Sequence, residues 1–227
     1  MALALDGSVH GNSGGASSLA VSLTTTNTND IICVVVLTNG GPVTSVSSTH
    51  VTFTQKSTAT ANAGNQTIEL WVGTASVILT AESITINTTT SAFLTIDAFG
   101  ISGANTSSPY DGSPVIHSGF IADPLTISTT NANDIVLGMY RQNSQSTPTQ
   151  GTGWTKISGA DFQLCEYQIF TSTQSGLSVT IGTGASDSNA GIAVAIEASG
   201  AVFLWSQLVD LIVLPKGHTV REMVRHD

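Results

Sequence analysis

Residues 25–32 read TTNTNDII, and residues 129–136 read TTNANDIV. In both places a run of β-forming residues precedes the Asn-Asp turn and an apolar run follows it. Self-similarity of this kind indicates that one supersecondary unit is used twice. The repeat therefore predicts a β structure built from two related halves.

Short runs of alternating or continuous apolar residues, separated by Gly, Pro, Asn and Asp, continue through both halves, and no helical periodicity precedes residue 200. This pattern predicts an all-β fold, an antiparallel β-sandwich of jelly-roll-like type. The unbroken apolar run over residues 31–37 predicts a strand buried on both faces. The Gly, Ser and Asn of residues 10–18 predict a loop.

The halves cover about residues 1–108 and 115–200, joined by a connector that holds Pro109 and Pro114. Half a sandwich cannot bury its apolar face alone, whereas two halves stacked face to face can. We therefore expect residues 1–200 to form one domain. Two tandem barrels of about 100 residues each remain the alternative.

The composition restricts the classes of partner. Charged residues make up 9% of the chain, against roughly 25% in a typical globular protein. Thr, Ser, Asn and Gly fill the polar positions instead, and the net charge is −9 with only six Lys and Arg. Nucleic-acid binding needs basic patches that displace counterions, so we expect no nucleic-acid partner. The small number of charged residues also means weak electrostatic self-repulsion, so the surfaces of several copies can come together in an assembly.

Residues 201–227 differ from the rest of the chain. They contain three of the six basic residues. The spacing of their apolar residues is close to that of one face of a helix, although the segment could also form a strand. We predict that this extension is an assembly contact, which covers the end of its own sandwich or docks on a neighbouring subunit. The contact residues are Phe203, Leu204, Trp205, Leu208, Leu211 and Ile212.

No run reaches the roughly 18 apolar residues that a membrane helix needs, so we expect no membrane partner. The N-terminus has no basic region followed by a long apolar core, so we expect no secretory signal. Cys33 and Cys165 lie in apolar or alternating runs and are predicted to be buried and free.

Residues that could carry chemistry are dispersed. The five histidines show no metal-ligand spacing, and neither a nucleophile elbow nor a phosphate loop is present. Asp97 and Glu197 are the only carboxylate pair that the repeat would suggest, and we expect them to face solvent. Asp30 and Asp134 are predicted to cap their turns. We expect no enzyme activity, no cofactor and no metal.

The aromatic residues leave two interpretations open. Trp71 and Trp154 are candidates for stacking on a sugar ring, as exposed aromatic faces often do. Packing in the core or at an interface is the favoured alternative.

The order in which strand and turn segments follow one another along this chain resembles a β-sandwich family of phage virion proteins and related bacterial surface proteins. The similarity covers about residues 3–200. Its landmarks are residues 25–36, 99–105 and 109–111 in the first half, and residues 129–137, 153–154 and 192–198 in the second.

The resemblance implies a non-enzymatic structural protein on the exterior of a virus particle, such as a capsid decoration or cement protein. Its expected partners are other copies of itself, in a homo-oligomer such as a trimer, and the major capsid protein. A carbohydrate-binding or receptor-binding module on a tail or surface is the alternative.

Overall fold

The computed structural model describes residues 1–61, 66–118, 125–142, 149–182 and 188–200. Within these ranges the chain forms thirteen β-strands and no helix, and every strand pairing is antiparallel. The prediction of an all-β antiparallel fold is confirmed.

The first sheet contains six strands from the first half of the chain. They are β1 (Ala4–Leu23), β2 (Asp30–Asn39), β3 (Val43–Ser47), β4 (Thr54–Ala61), β5 (Gln66–Ala75) and β6 (Glu82–Ser102). Their order is β1-β6-β2-β5-β4, and β3 pairs with the first part of β6 beside this path.

The second sheet contains five strands, and a separate two-stranded ribbon accompanies it. The sheet strands are β7 (Val115–Ser118), β9 (Asp134–Gln142), β10 (Thr155–Ala160), β11 (Gln163–Phe170) and β13 (Ser188–Glu197). Their order is β10-β11-β9-β13-β7. The ribbon pairs β8 (Leu125–Ile127) with β12 (Leu177–Val179).

The two sheets pack face to face around one apolar core. Burial of side chains from both sheets in a single cluster means that the described residues of the two halves share this core. Its members include Cys33, Val35, Leu70 and Phe99 from the first sheet, and Leu137, Met139, Cys165, Ile192 and Val194 from the second.

The outer face of each sheet is also covered. On the first sheet, β3 and the neighbouring parts of β1 and β6 pack against the outward side chains of β2. On the second sheet, the β8–β12 ribbon packs against the outward side chains of β9 and β13. The central strands β2 and β9 are therefore buried on both faces, as the apolar run over residues 31–37 predicts.

The strand that follows the Asn-Asp turn, β2 or β9, holds the third position in the order of each sheet. That the halves are related copies stays a prediction.

The prediction of a loop over residues 10–18 is wrong, because strand β1 continues through these residues. The strand pairs with β6 along its length and absorbs its small residues in register shifts next to Gly7 and between Ser13 and Ser18. Gly7 has φ +75°, and an added Cβ would lie 2.1 Å from the Thr24 carbonyl oxygen, so only glycine fits there. Pairing with a distant strand overrides the loop preference of the local sequence.

Candidate functional site

Both Asn-Asp turns lie at the same end of the sandwich, named here the turn end. It consists of residues 24–30, 103–112, 129–134 and 196–200. Backbone hydrogen bonds join the halves at this end: Asn105 N donates to Glu197 O at 3.0 Å, and Ser199 N donates to Gly103 O at 2.8 Å. The turn end therefore brings together the repeated segments and the last described residues.

Asp6 anchors the first turn. Its carboxylate accepts hydrogen bonds from the backbone N–H of Thr26 at 3.0 Å and of Asn27 at 2.8 Å, and from both of their side chains at 2.8 Å. Burial alone would raise the pKa of Asp6, but these hydrogen bonds outweigh it and lower the pKa to about 2. Asp6 is therefore an anion that holds the turn.

Asp30 has the opposite environment. It is fully buried, and neither carboxyl oxygen accepts a hydrogen bond from the described residues. Burial, together with the neighbouring Asp6 carboxylate, raises the pKa of Asp30 to about 7. Two carboxyl groups at one site cannot both ionise cheaply, so below about pH 7 the pair holds one proton, and Asp30 carries it.

The second turn repeats this arrangement with Asp111 and Asp134. The Asp111 carboxylate accepts hydrogen bonds from Thr130 N at 2.5 Å and from Asn131 N at 2.7 Å. These bonds lower the pKa of Asp111 against the effect of its burial. Asp134 is fully buried, and its burial, together with the neighbouring Asp111 carboxylate, outweighs the Thr129 side chain and raises the pKa of Asp134 to about 7.

The prediction that Asp30 and Asp134 cap their turns is wrong, because Asp6 and Asp111 supply the capping carboxylates. The signal was present in the sequence. Each capping residue is the first of an Asp-Gly-Ser triplet, at residues 6–8 and at residues 111–113. The glycines after them have φ +75° and +85°, a conformation that glycine adopts readily.

Two adjoining concavities form a trough across the turn end. One, of about 510 Å³, is bounded by Met1, Thr28 and Asn29. The other, of about 390 Å³, is bounded by Asn131, Asn133 and Glu197. Both are lined by Asn105, Ser199 and Gly200.

Glu197 is fixed in place within the trough. Its Oε1 accepts a hydrogen bond from Asn105 Nδ2 at 2.6 Å, and its Oε2 accepts one from Asn131 Nδ2. The carboxylate is therefore held between amides of the two halves.

His10 links the two sheets in what we name the His10 clasp. Its Nδ1 lies 2.7 Å from Asp97 Oδ1 on β6, and its Nε2 lies 2.9 Å from Asp161 Oδ2 in the turn between β10 and β11. Gln163 Nε2 donates to the other Asp97 oxygen at 2.5 Å. The hydrogen bond with Asp97, and then that with Asp161, outweigh burial and raise the pKa of His10 to about 9.

Replacing His10 with Ala is expected to lower the unfolding free energy at pH 6 by about 3 kcal/mol, because it leaves Asp97 as a buried charge without its cation. His10→Gln keeps a hydrogen-bond donor and is the milder control. Because the folded pKa lies above the usual 6.5, the stabilisation is complete below pH 6.5 and is lost as the pH rises through 9. Urea unfolding of parent and variants between pH 6 and 10 measures both effects. If the unfolding free energy of the parent and of His10→Gln falls equally between pH 6 and 10, protonated His10 does not stabilise the folded state.

Asp97 and Glu197 are not a symmetric pair, so that prediction is wrong. Asp97 pairs with Val35 in the middle of β2, whereas Glu197 pairs with Asp134, the first residue of β9. Residues 96–98 (IDA) and 196–198 (IEA) match in sequence, but they take different positions along the strand pairing of their sheets. The expectation that both face solvent is wrong for Asp97, which is 1% exposed between the sheets, whereas Glu197 is half-buried at the turn end.

Both tryptophans take part in packing. Trp71 is half-buried against the outer cluster of the first sheet, and its Nε1 donates to Glu69 Oε2 at 3.0 Å. Trp154 is 7% exposed and belongs to the outer cluster of the second sheet. Sugar stacking on either ring stays a prediction, and these contacts do not favour it.

The predicted assembly contact over residues 203–212 lies outside the described residues. Cys33 and Cys165 are buried and free, as predicted. In the described ranges, no group of three His, Cys, Asp or Glu side chains is placed to hold a metal ion. A search of the same ranges for a helix long and apolar enough to cross a membrane found none.

Comparison with known proteins gave no relatives: no protein-family model matches the chain, and neither a curated protein nor a solved structure is significantly similar to it.

Proposed function

We propose that this chain is a non-enzymatic structural protein of a bacteriophage particle, and that it decorates or cements the capsid on the particle exterior. The proposal continues the family resemblance described above. Its partners are further copies of the chain, in a cyclic homo-oligomer such as a trimer, and the major capsid protein.

The observation that carries the proposal is where the C-terminal extension starts. Ser199 and Gly200 are exposed at the turn end, so residues 201–227 continue from the surface of the sandwich rather than from its core. Their apolar residues need a surface on which to be buried. A neighbouring subunit or capsid protein supplies such a surface through strand addition or groove docking.

The surface character of the sandwich supports the same role. With 9% charged residues, the chain has few ionic groups to desolvate when copies pack together. Its polar surface is mainly Thr, Ser, Asn and Gly, which allows copies to pack closely without desolvating many ions. Among the described residues, a covering element also buries the outer face of each sheet.

A triple variant of the full chain, Trp205→Ser with Leu208→Ser and Leu211→Ser, tests the proposal. We expect the parent to be an oligomer by light scattering and to co-sediment with purified phage capsids, and the variant to be a monomer that stays in the supernatant. The matched control is Gln207→Ser, which changes a polar residue of the same segment and is expected to behave like the parent. A monomeric parent that does not co-sediment with capsids would overturn the proposal.

A further inference from the structure

The trough at the turn end has the dimensions of a ligand site. Its two concavities, of about 510 and 390 Å³, adjoin at Asn105, Ser199 and Gly200. Small-molecule sites usually measure about 300–1,000 Å³. The Asn29 turn forms one wall and the Asn133 turn forms the other, so a ligand in the trough contacts both halves of the chain.

The chemistry of the walls selects a neutral polar ligand. The polar side chains are amides and hydroxyls, and Glu197 is the one charged side chain among the described lining residues. In the second concavity an anionic ligand would meet the Glu197 carboxylate, with no cation among the described residues that line it. An apolar ligand would leave the amides of Asn29 and Asn133 unpaired, which is costly.

The floor of the trough adds a small apolar surface. Ala104 and Ala198 form an isolated β-bridge there, and the Met1 side chain borders it at 78% exposure. A sugar ring offers both kinds of contact, since its hydroxyls donate and accept hydrogen bonds while its C–H faces pack on apolar groups.

Glu197 fits this ligand class. Both carboxylate oxygens are held by amide donors, from Asn105 and Asn131, and each oxygen retains capacity to accept a further hydrogen bond. A carboxylate fixed before the ligand arrives loses little conformational freedom on binding.

From this geometry we propose that the trough binds a neutral oligosaccharide. The site is distinct from the two tryptophans and goes beyond the proposed role of the C-terminal extension. A particle protein with such a trough would contact surface glycans while its extension holds the particle.

Titration calorimetry of the full chain with maltotetraose, cellotetraose and chitotetraose tests the proposal. We expect at least one of them to bind, with affinity reduced roughly three- to tenfold by Asn29→Gly and by Asn133→Ala, since each change removes one neutral hydrogen-bonding group. Glycine suits position 29 because Asn29 has φ +60°. Trp71→Phe, outside the trough, is the matched control and is expected to bind like the parent.

The proposal would be overturned if none of the three sugars binds at about 10 mM, where even a millimolar Kd is detectable. It would also be overturned if the sugar affinity is unchanged in both asparagine variants, or if Trp71→Phe alone loses binding. The triple variant of the C-terminal extension is expected to bind sugar like the parent, so failure of the assembly role and failure of the trough give different results.

Discussion

Asp30→Asn is expected to raise the unfolding free energy at pH 7.5 by about 2 kcal/mol, whereas Asp6→Asn is expected to lower it by about 3 kcal/mol. The two substitutions make the same chemical change in one carboxyl pair. Opposite signs follow because the folded state disfavours the ionised form of Asp30, whose pKa is raised to about 7, and favours the ionised form of Asp6, whose pKa is lowered to about 2.

The asparagine at position 30 reproduces the protonated carboxyl. Its amide N–H can donate to the Asp6 carboxylate, and it needs no proton from solvent at pH 7.5. At position 6 the same amide would place N–H groups against the donors of Thr26 and Asn27, which now bond to the carboxylate. That change removes charge-assisted hydrogen bonds and sets donor against donor in a part-buried contact.

Urea unfolding of the full chain at pH 4.0 and 7.5 measures both effects. The gain from Asp30→Asn is expected to disappear at pH 4.0, because the parent is then protonated at Asp30. Asp134→Asn and Asp111→Asn are the matched variants of the second pair and are expected to repeat the contrast. Similar losses from Asp6→Asn and Asp30→Asn at pH 7.5 would show that the pair does not share a proton.

The second large effect is a stability maximum at acidic pH. The pKa values of Asp30, Asp134 and Glu166 are raised to about 7, mainly by burial. Glu166 is fully buried, and its Oε1 accepts no hydrogen bond from the described residues. The folded state therefore binds more protons than the unfolded state between about pH 4 and 7, and its stability falls as the pH rises through this range.

Other groups set the limits of the maximum. Asp6 and Glu82 have pKa values of about 2, since hydrogen bonds to their carboxylates outweigh burial, so the stability they contribute is lost as the pH falls from about 4 towards 2. His10 extends the decline on the alkaline side from pH 6.5 to 9. Stability should therefore be greatest near pH 4–5.

Scanning calorimetry from pH 3 to 9 checks this profile. The melting temperature is expected to be higher at pH 4.5 than at pH 7.5 by roughly 5 °C or more, since about 1 kcal/mol corresponds to 2–4 °C in a domain of this size. The double variant Asp30→Asn and Asp134→Asn should flatten much of the decline between these two values. A maximum at pH 7–8 in the parent would contradict the assignment of protonated, buried carboxyls.

The sequence predicts the sheet centres well because their signals are local. An unbroken apolar run such as residues 31–37 has to be buried on both faces, and the Asn-Asp segment before it marks where the strand begins. The path of β1 through residues 10–18 is not local. It depends on pairing with β6, which comes much later in the chain, and the Gly and Ser content of the stretch points the other way.

The polar contacts were harder to predict for the same reason. His10 and Asp97 are 87 residues apart in sequence, and their contact depends on the register of β1 against β6. The carboxyl pairs require Asp6 and Asp111 to reach turns formed by later residues. The shared Asp-Gly-Ser triplet is the one local sign of these capping carboxylates in the sequence. Trp154 gives no local sign of whether it is core or surface.

Assembly on a phage particle is the central claim, and cryo-electron microscopy of phage particles that carry this chain tests it most directly. We expect the sandwich on the outer surface, with residues 201–214 ordered against a neighbouring subunit or capsid protein. Mass spectrometry of the same purified particles that finds no trace of the chain, or density that places it inside the particle on the nucleic acid, would contradict the account.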